Sequence, residues 1–409
     1  MAHGVVQASG WIWSLLSCAV LAGAVGACTV DDRGDSRLQG SDSLAPEAST
    51  ALGTESGGER APVRVATTGL DSLLLEEAYE RAASLPRLYS LLVARHGELV
   101  REEYFNGAGP NRIANIKSAS KSVISTLVGI AIAEGHLDGL DQPIAPFFPE
   151  WASRNGDSRM GDITLEHLLA MQSGLESTSF GNYGAWAASS NWVGDQLTRP
   201  FVDEPGGRMV YSTGSTHLLS AILTQATGRS TLAYARDALF GPMEISLSPW
   251  TRDPQGIYMG GNEMGLRPRE MLTYGELYRN GGVHEGRRLL SEGWIEESWV
   301  QRGTSSFNGH GYGLGWWIRD RRGYDVYFAW GYGGQYVFVV PELEMTVVTT
   351  SNPTGPRAGG HTRALHDLVT DVFIPAAEKG AAGAVGEPVV SGPATSPGSP
   401  RPQGSGIGR

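Results

Sequence analysis

Residues 118–134 read SASKSVISTLVGIAIAE. Beyond Lys121 the apolar residues Val123, Ile124, Leu127, Val128, Ile130 and Ile132 leave no polar stripe at helical spacing, which predicts a helix buried nearly all round that stops before Gly135. Its first turn is polar. Ser118 and Lys121 stand three residues apart, so their side chains share one helix face. A serine hydroxyl is a poor nucleophile at neutral pH, and a lysine desolvated at a buried helix start loses enough basicity to take its proton. Arginine cannot serve, because its guanidinium stays protonated. The chain draws nearly all its positive charge from arginine. Of 32 basic residues only Lys117, Lys121 and Lys379 are lysines, so a lysine at 121 is informative. About a quarter of such chains would hold an S-x-x-K by chance, so the motif needs company. Lys117 reads as a charged neighbour or a surface residue.

Working outward, Leu73–Ala83 has helical spacing, and Tyr89–Phe105 reads as two strands joined at His96-Gly97. Residues 137–243 are dominated by helical segments and loops, among them Leu165–Met171 and Thr216–Gln225. Tyr324–Trp330, Gln335–Val340 and Met345–Thr350 are strand-like, and Thr362–Phe373 is a helical run. Strands at both ends with helices between predict one sheet assembled from the two termini around an inserted helical region. A pocket is expected at their junction.

Two further segments supply chemistry. Tyr211-Ser212-Thr213 follows the turn Glu204–Arg208 and precedes a helical run. A tyrosine beside a lysine cation ionises more readily and can relay a proton; the alternative is a packing tyrosine. Ala329–Gln335, with Gly331, Gly333 and Gly334, is a bend whose backbone can approach a ligand closely. Its N–H groups and that of Ser118 would suit the oxyanion of a tetrahedral intermediate, whereas the plain alternative is a β-bulge. Tyr183, Trp186 and Trp192 lie in a Gly- and Ser-rich segment that reads either as a mobile lid or as packing between helices. Asn262, in a Gly-Gly-Asn turn, is a candidate lining residue.

Ser118-x-x-Lys121, Tyr211-x-Thr213 and the Gly331 bend occur in the order found in the serine β-lactamase and D-alanyl-D-alanine carboxypeptidase superfamily. The chain resembles its class C-like branch over about residues 69–375, including Ile163–Leu169, Met171–Leu175 and Gly311–Trp317. The resemblance implies an α/β (α+β) fold: an antiparallel sheet flanked by terminal helices, with an inserted helical domain. It implies an acyl-enzyme on Ser118, proton transfer by Lys121 and Tyr211, and an oxyanion hole from the N–H groups of Ser118 and Tyr332. Trp186, Asn262, Trp330 and Gly331 become candidate substrate contacts. Where relatives carry Lys or His, then Thr or Ser, then Gly, this chain has Ala329-Trp330-Gly331. The missing cation removes a partner for a substrate carboxylate, a contact worth about 1.5–3 kcal/mol. With Thr213 in place of the usual Asn, the sequence looks more like carboxylesterases and 6-aminohexanoate-dimer hydrolases. A small ester, amide or peptide-like substrate is expected. The alternatives are a β-lactamase or D-alanyl-D-alanine carboxypeptidase, or a penicillin-binding-type sensor with little turnover.

A net charge of -11 argues against a nucleic-acid partner. Trp11–Ala27 is apolar, rich in small residues and short for a membrane-spanning helix, so residues 1–27 read as an export signal. Val25-Gly26-Ala27-Cys28 resembles a bacterial lipobox, with Cys28 as the lipidated residue and the chain anchored on the outer or periplasmic side of a membrane; the alternative is an ordinary cleaved signal or an uncleaved anchor. Residues 28–68 read as a flexible tether, 69–377 as the folded domain and 378–409 as a disordered tail. No metal-ligand spacing occurs, and neither a metal nor another cofactor is expected.

Overall fold

The computed structural model describes residues 69–354 and 360–385. The expected signal, Cys28, the tether and the tail beyond residue 385 lie outside the described residues. β1 (Leu88–Arg95) and β2 (Glu98–Tyr104) form the predicted hairpin. Its two turn residues, His96 and Gly97, both have positive φ, the geometry whose twist suits a two-residue hairpin loop. β3 (Ala114–Asn115) pairs with β4 (Gly265–Leu266), and β5 (Val283–His284) with β6 (Arg287–Arg288). β7 (Gly303–Thr304), β8 (Gly311–Tyr312), β9 (Trp317–Arg321), β10 (Tyr324–Gly331), β11 (Gln335–Val340) and β12 (Met345–Ser351) join the first hairpin in an eight-stranded sheet. Its order is β2-β1-β12-β11-β10-β9-β8-β7, and every pairing is antiparallel. The first strand therefore lies beside the last, as the reading of the two termini required.

β11 and β12 are buried at every position, so both faces of the sheet are covered. Period-2 alternation sends Val337, Val339 and Val348 to one core and Tyr336, Phe338 and Val347 to the other. The first core is closed by α2 (Ser120–Ala133) and the Pro268–Arg279 helix. The second is closed by α1 (Ser72–Ala83) and the C-terminal helices, with Tyr79 meeting Phe373 edge-on at 6.3 Å.

The C-terminal run comprises His361–Asp367, a wider turn over Leu368–Phe373, and Ile374–Val385. It passes the expected domain end at residue 377. The glycines after Lys379 suggested an unstructured tail, but they alternate with alanine, the best helix former. This last helix also docks on the start of the domain, where the Asp71 N–H donates to the Ala376 carbonyl at 2.9 Å.

Residues 116–264 are inserted between β3 and β4, and their helices, including Leu165–Leu169, Trp192–Leu197 and Thr213–Thr227, pack around α2. The short β3–β4 ribbon places the two ends of this insertion side by side. That junction carries the candidate site.

Candidate active site

Ser118 lies in a single 3-10 turn, Lys117–Ala119, that feeds directly into α2. The turn runs straight into α2, so Lys121, three residues on, shares the face that carries Ser118. Lys121 is only 1% exposed. Its Nζ is 3.2 Å from Ser118 Oγ, 3.3 Å from Thr213 Oγ1 and 2.6 Å from the Gly261 carbonyl. Burial pulls the ammonium down to about 7, because the charged form loses its hydration. A neutral amine in this position can donate to Gly261 and Thr213 while turning its lone pair to the Ser118 hydroxyl.

The Gly261 carbonyl is held in place by close packing. A side chain at Gly261 would come within 2.3 Å of Thr216 Oγ1 and 2.9 Å of Lys121 Nζ, so only glycine fits. The preceding Gly260 N–H donates to His217 Nδ1 at 3.4 Å, and His217 Nε2 meets Asp253 Oδ2 at 3.0 Å, both side chains fully buried. Thr213 is braced by Ser179, whose Oγ accepts its N–H at 2.8 Å and lies 2.9 Å from its hydroxyl.

Tyr211 lines the cavity with Ser118, and its ring faces Lys121 Nζ at 5.1 Å. The expectation that the lysine would ease its ionisation fails on electrostatics. Burial drives the phenol well above its ordinary value and outweighs the opposing effect of the nearby Ser118 hydroxyl. Tyr211 therefore stays protonated at neutral pH, and Lys121 is the group near its titration point.

At the opposite side, β10 ends against the Ser118 turn. A Cβ on Gly331 would stand 2.0 Å from the Ile116 carbonyl, so glycine is required for the strand to approach the serine this closely. Tyr332, Gly333 and Gly334 form the loop of the β10–β11 hairpin, closed by the Gly331–Gln335 pair. The Gly-rich bend is thus a hairpin end. It presents the Trp330 and Tyr332 side chains to a cavity of about 740 Å³ that opens over Ser118.

Of the expected substrate contacts, Trp330 and Asn262 line this cavity. Asn262 Nδ2 donates to the Tyr183 hydroxyl at 2.9 Å. Trp186 does not line it. It is fully buried, its indole N–H donates to the Trp192 carbonyl at 3.0 Å, and both rings pack edge-on against His217. Of the three aromatic residues read as a possible lid, Trp186 and Trp192 are helix packing, and Tyr183 alone reaches the cavity. Composition could not separate these outcomes, since a lid and a core both use aromatic residues.

Sequence reasoning missed Ser179, Phe180, Phe307, Trp317 and Glu263, all in the lining; of its two readings of Lys117, the charged neighbour fits the structure and the surface residue does not. Phe180 and Phe307 are 65% and 47% exposed and stack edge-on at 5.3 Å. Lys117 turns into the cavity wall and pairs with Glu263 Oε1 at 3.0 Å. Among the described residues no cluster of His, Cys, Asp or Glu could hold a metal ion, and no helix is long and apolar enough to cross a membrane.

The beta-lactamase family model matches residues 87–370, which spans the sheet, the insertion and every residue of the site. The chain belongs to the beta-lactamase family. Within this family it is 25% identical over 312 residues to a 6-aminohexanoate-dimer hydrolase of Paenarthrobacter ureafaciens, covering 70% of this chain and 76% of that one. Its fold is similar to a penicillin-binding protein homologue from Caulobacter crescentus, with a TM-score of 0.60, 17% identity, and coverage of 73% and 97% of the two chains. It is also similar to EstCE1, a hydrolase with promiscuous acyltransferase activity, with a TM-score of 0.59, 18% identity, and coverage of 73% and 98%.

Proposed function

We propose that this beta-lactamase family protein is a serine hydrolase that opens an ester or amide through a covalent acyl intermediate on Ser118. The observation that carries the reading is a buried amine, titrating near neutrality, 3.2 Å from a serine hydroxyl that opens onto a cavity. Neutral Lys121 takes the Ser118 proton as Oγ bonds to the substrate carbonyl carbon. The oxyanion forms beside the N–H groups of Ser118 and Tyr332. Tyr211, kept protonated by burial, hands a proton to the departing alcohol or amine. Lys121 passes the proton it took to the Tyr211 oxygen. Water then attacks the acyl-serine carbonyl, losing a proton to Lys121, and that proton returns to Ser118 Oγ as its bond to the acyl carbon breaks.

The relative named as a 6-aminohexanoate-dimer hydrolase supports this substrate range. A fluorophosphonate should label the native protein, and a p-nitrophenyl ester should be turned over. Ser118→Ala should do neither, and equal reaction by both proteins would end the proposal. Export and lipidation at Cys28 belong to the same reading: alkyne-palmitate fed to a bacterial host should label the full chain. Label retained in Cys28→Ala would remove the lipid anchor from the account.

A further inference from the structure

The two ends of the inserted region meet at the β3–β4 ribbon, and each delivers a charged residue to the cavity. Lys117 has φ +53 and Glu263 has φ +66. Both sit in the left-handed region, where glycine is free of strain and an ordinary side chain is not. The chain has 56 glycines and three lysines, yet it places a lysine at the strained position beside Ser118. A side chain kept at a strained position is a reason to look for its use.

The pair is built from below. Asn115 Oδ1 accepts the Lys117 N–H at 3.0 Å, and Asn115 Nδ2 donates to Glu263 Oε2 at 2.7 Å. Lys117 Nζ donates to Glu263 Oε1 at 3.0 Å. Both carboxylate oxygens are therefore occupied. Among the described residues the ammonium makes this one ion pair, which leaves two of its three N–H donors for a ligand. Lys117 and Glu263 are the charged residues of the lining, and the rest of the wall is dominated by the rings of Phe180, Tyr211, Phe307, Trp317 and Trp330.

We infer that Lys117 is the specificity residue for a carboxylate on the substrate, so that the preferred ester or amide carries an apolar segment ending in an anionic group. The inference rests on the serine-hydrolase reading above and deepens it. Glu263 and Asn115 hold the ammonium in place, and the aromatic wall receives the apolar segment. The cation absent at Ala329-Trp330-Gly331 is thereby supplied from the other end of the site, next to the nucleophile itself.

The test uses three p-nitrophenyl esters of matched length: the half-ester of adipic acid, its twin with a carboxamide in place of the free carboxylate, and the 6-aminohexanoate ester with an ammonium. Wild type should prefer the carboxylate over the carboxamide, and the ammonium should be poorest. In Lys117→Met the carboxylate-to-carboxamide ratio of kcat/KM should fall about 10- to 100-fold, the size of a hydrogen bond to a charged group. In Glu263→Gln, which removes the competing anion, the same ratio should rise. Each ratio is taken within one protein, so a smaller active fraction in a variant cancels. An unchanged ratio in Lys117→Met, or a wild-type preference for the ammonium, overturns the inference while the hydrolase reading stands. Failure of wild type to turn over any of the three overturns both.

Discussion

Two bases in this molecule, one on each side of the sheet, are held below their ordinary basicity by desolvation, Lys121 fully buried and His366 partly so, and they differ in what surrounds them. Lys121, behind the cavity, is brought to about 7 by burial and is ringed by oxygens: Ser118 Oγ, Thr213 Oγ1 and the Gly261 carbonyl. His366, under the opposite face, is brought to about 3, chiefly by burial and further by His310 and Arg321. Its neighbours are rings: Phe328, Tyr336, Phe338 and His310, all within 6 Å between centroids. Desolvation acts on both in the same way. Of the two, only Lys121 faces a hydroxyl with a cavity beyond it, which makes it the candidate base. A perturbed base marks a candidate site when it faces a nucleophile, and a packed core otherwise.

The comparison breaks most sharply at Lys121. Lys121→Met should lower kcat/KM by roughly 10²- to 10⁴-fold, the usual contribution of a positioned general base. In the wild type kcat/KM should climb with pH through about 7, as the free enzyme's amine loses its proton. A flat profile between pH 5.5 and 8.5 would remove Lys121 as the base.

The same burial has a stability signature. The folded-state value lies below the unfolded one, so between about 7 and the ordinary lysine value the unfolded chain holds the extra proton, and folding stability gains as pH rises. The gain is at most about 1.4 kcal/mol per pH unit. Urea unfolding at pH 7 and pH 9 should show it in the wild type and lose it in Lys121→Met; an equal gain in both would mean the lysine is not the titrating group.

The smallest effect belongs to His366. Here too the folded value is depressed, so stability should fall as pH drops from about 6.5 towards 3 and the unfolded chain takes up the proton. His366→Phe, an aromatic among aromatics, should flatten that acid slope and leave ester turnover as it was. An acid slope identical to wild type would show that this histidine is not desolvated as its surroundings imply.

Much of the fold was legible because its signals are local. The apolar run from Val123 to Ile132 allowed only a buried helix, and Ser118 and Lys121 needed only their spacing to face one another. The His96-Gly97 turn and the strands Gln335–Val340 and Met345–Thr350 read directly from period and composition, the last one residue short of its observed end. Misreadings arose where a residue's role depends on what lies across from it. Trp186 belongs to a segment whose composition suits a lid and a core equally, and the His217–Asp253 pair that it packs against is far away in sequence. The phenol of Tyr211 was expected to ionise beside a cation, but its own burial holds it protonated, and the same desolvation draws Lys121 down towards neutrality.

Sequence alone put Ser118 and Lys121 on one helix face, marked the buried helix and the terminal strands, and pointed to the family, because each rests on local pattern or motif order along one chain. Tertiary structure decided which residues meet across the cavity. Pairing of β3 with β4 brings Glu263 against Lys117 from the far end of the insertion, and a left-handed backbone at both residues turns their charges together. No local pattern encodes that meeting. It follows from closure of the chain around α2, where two distant strained positions are held by the packing of everything between them.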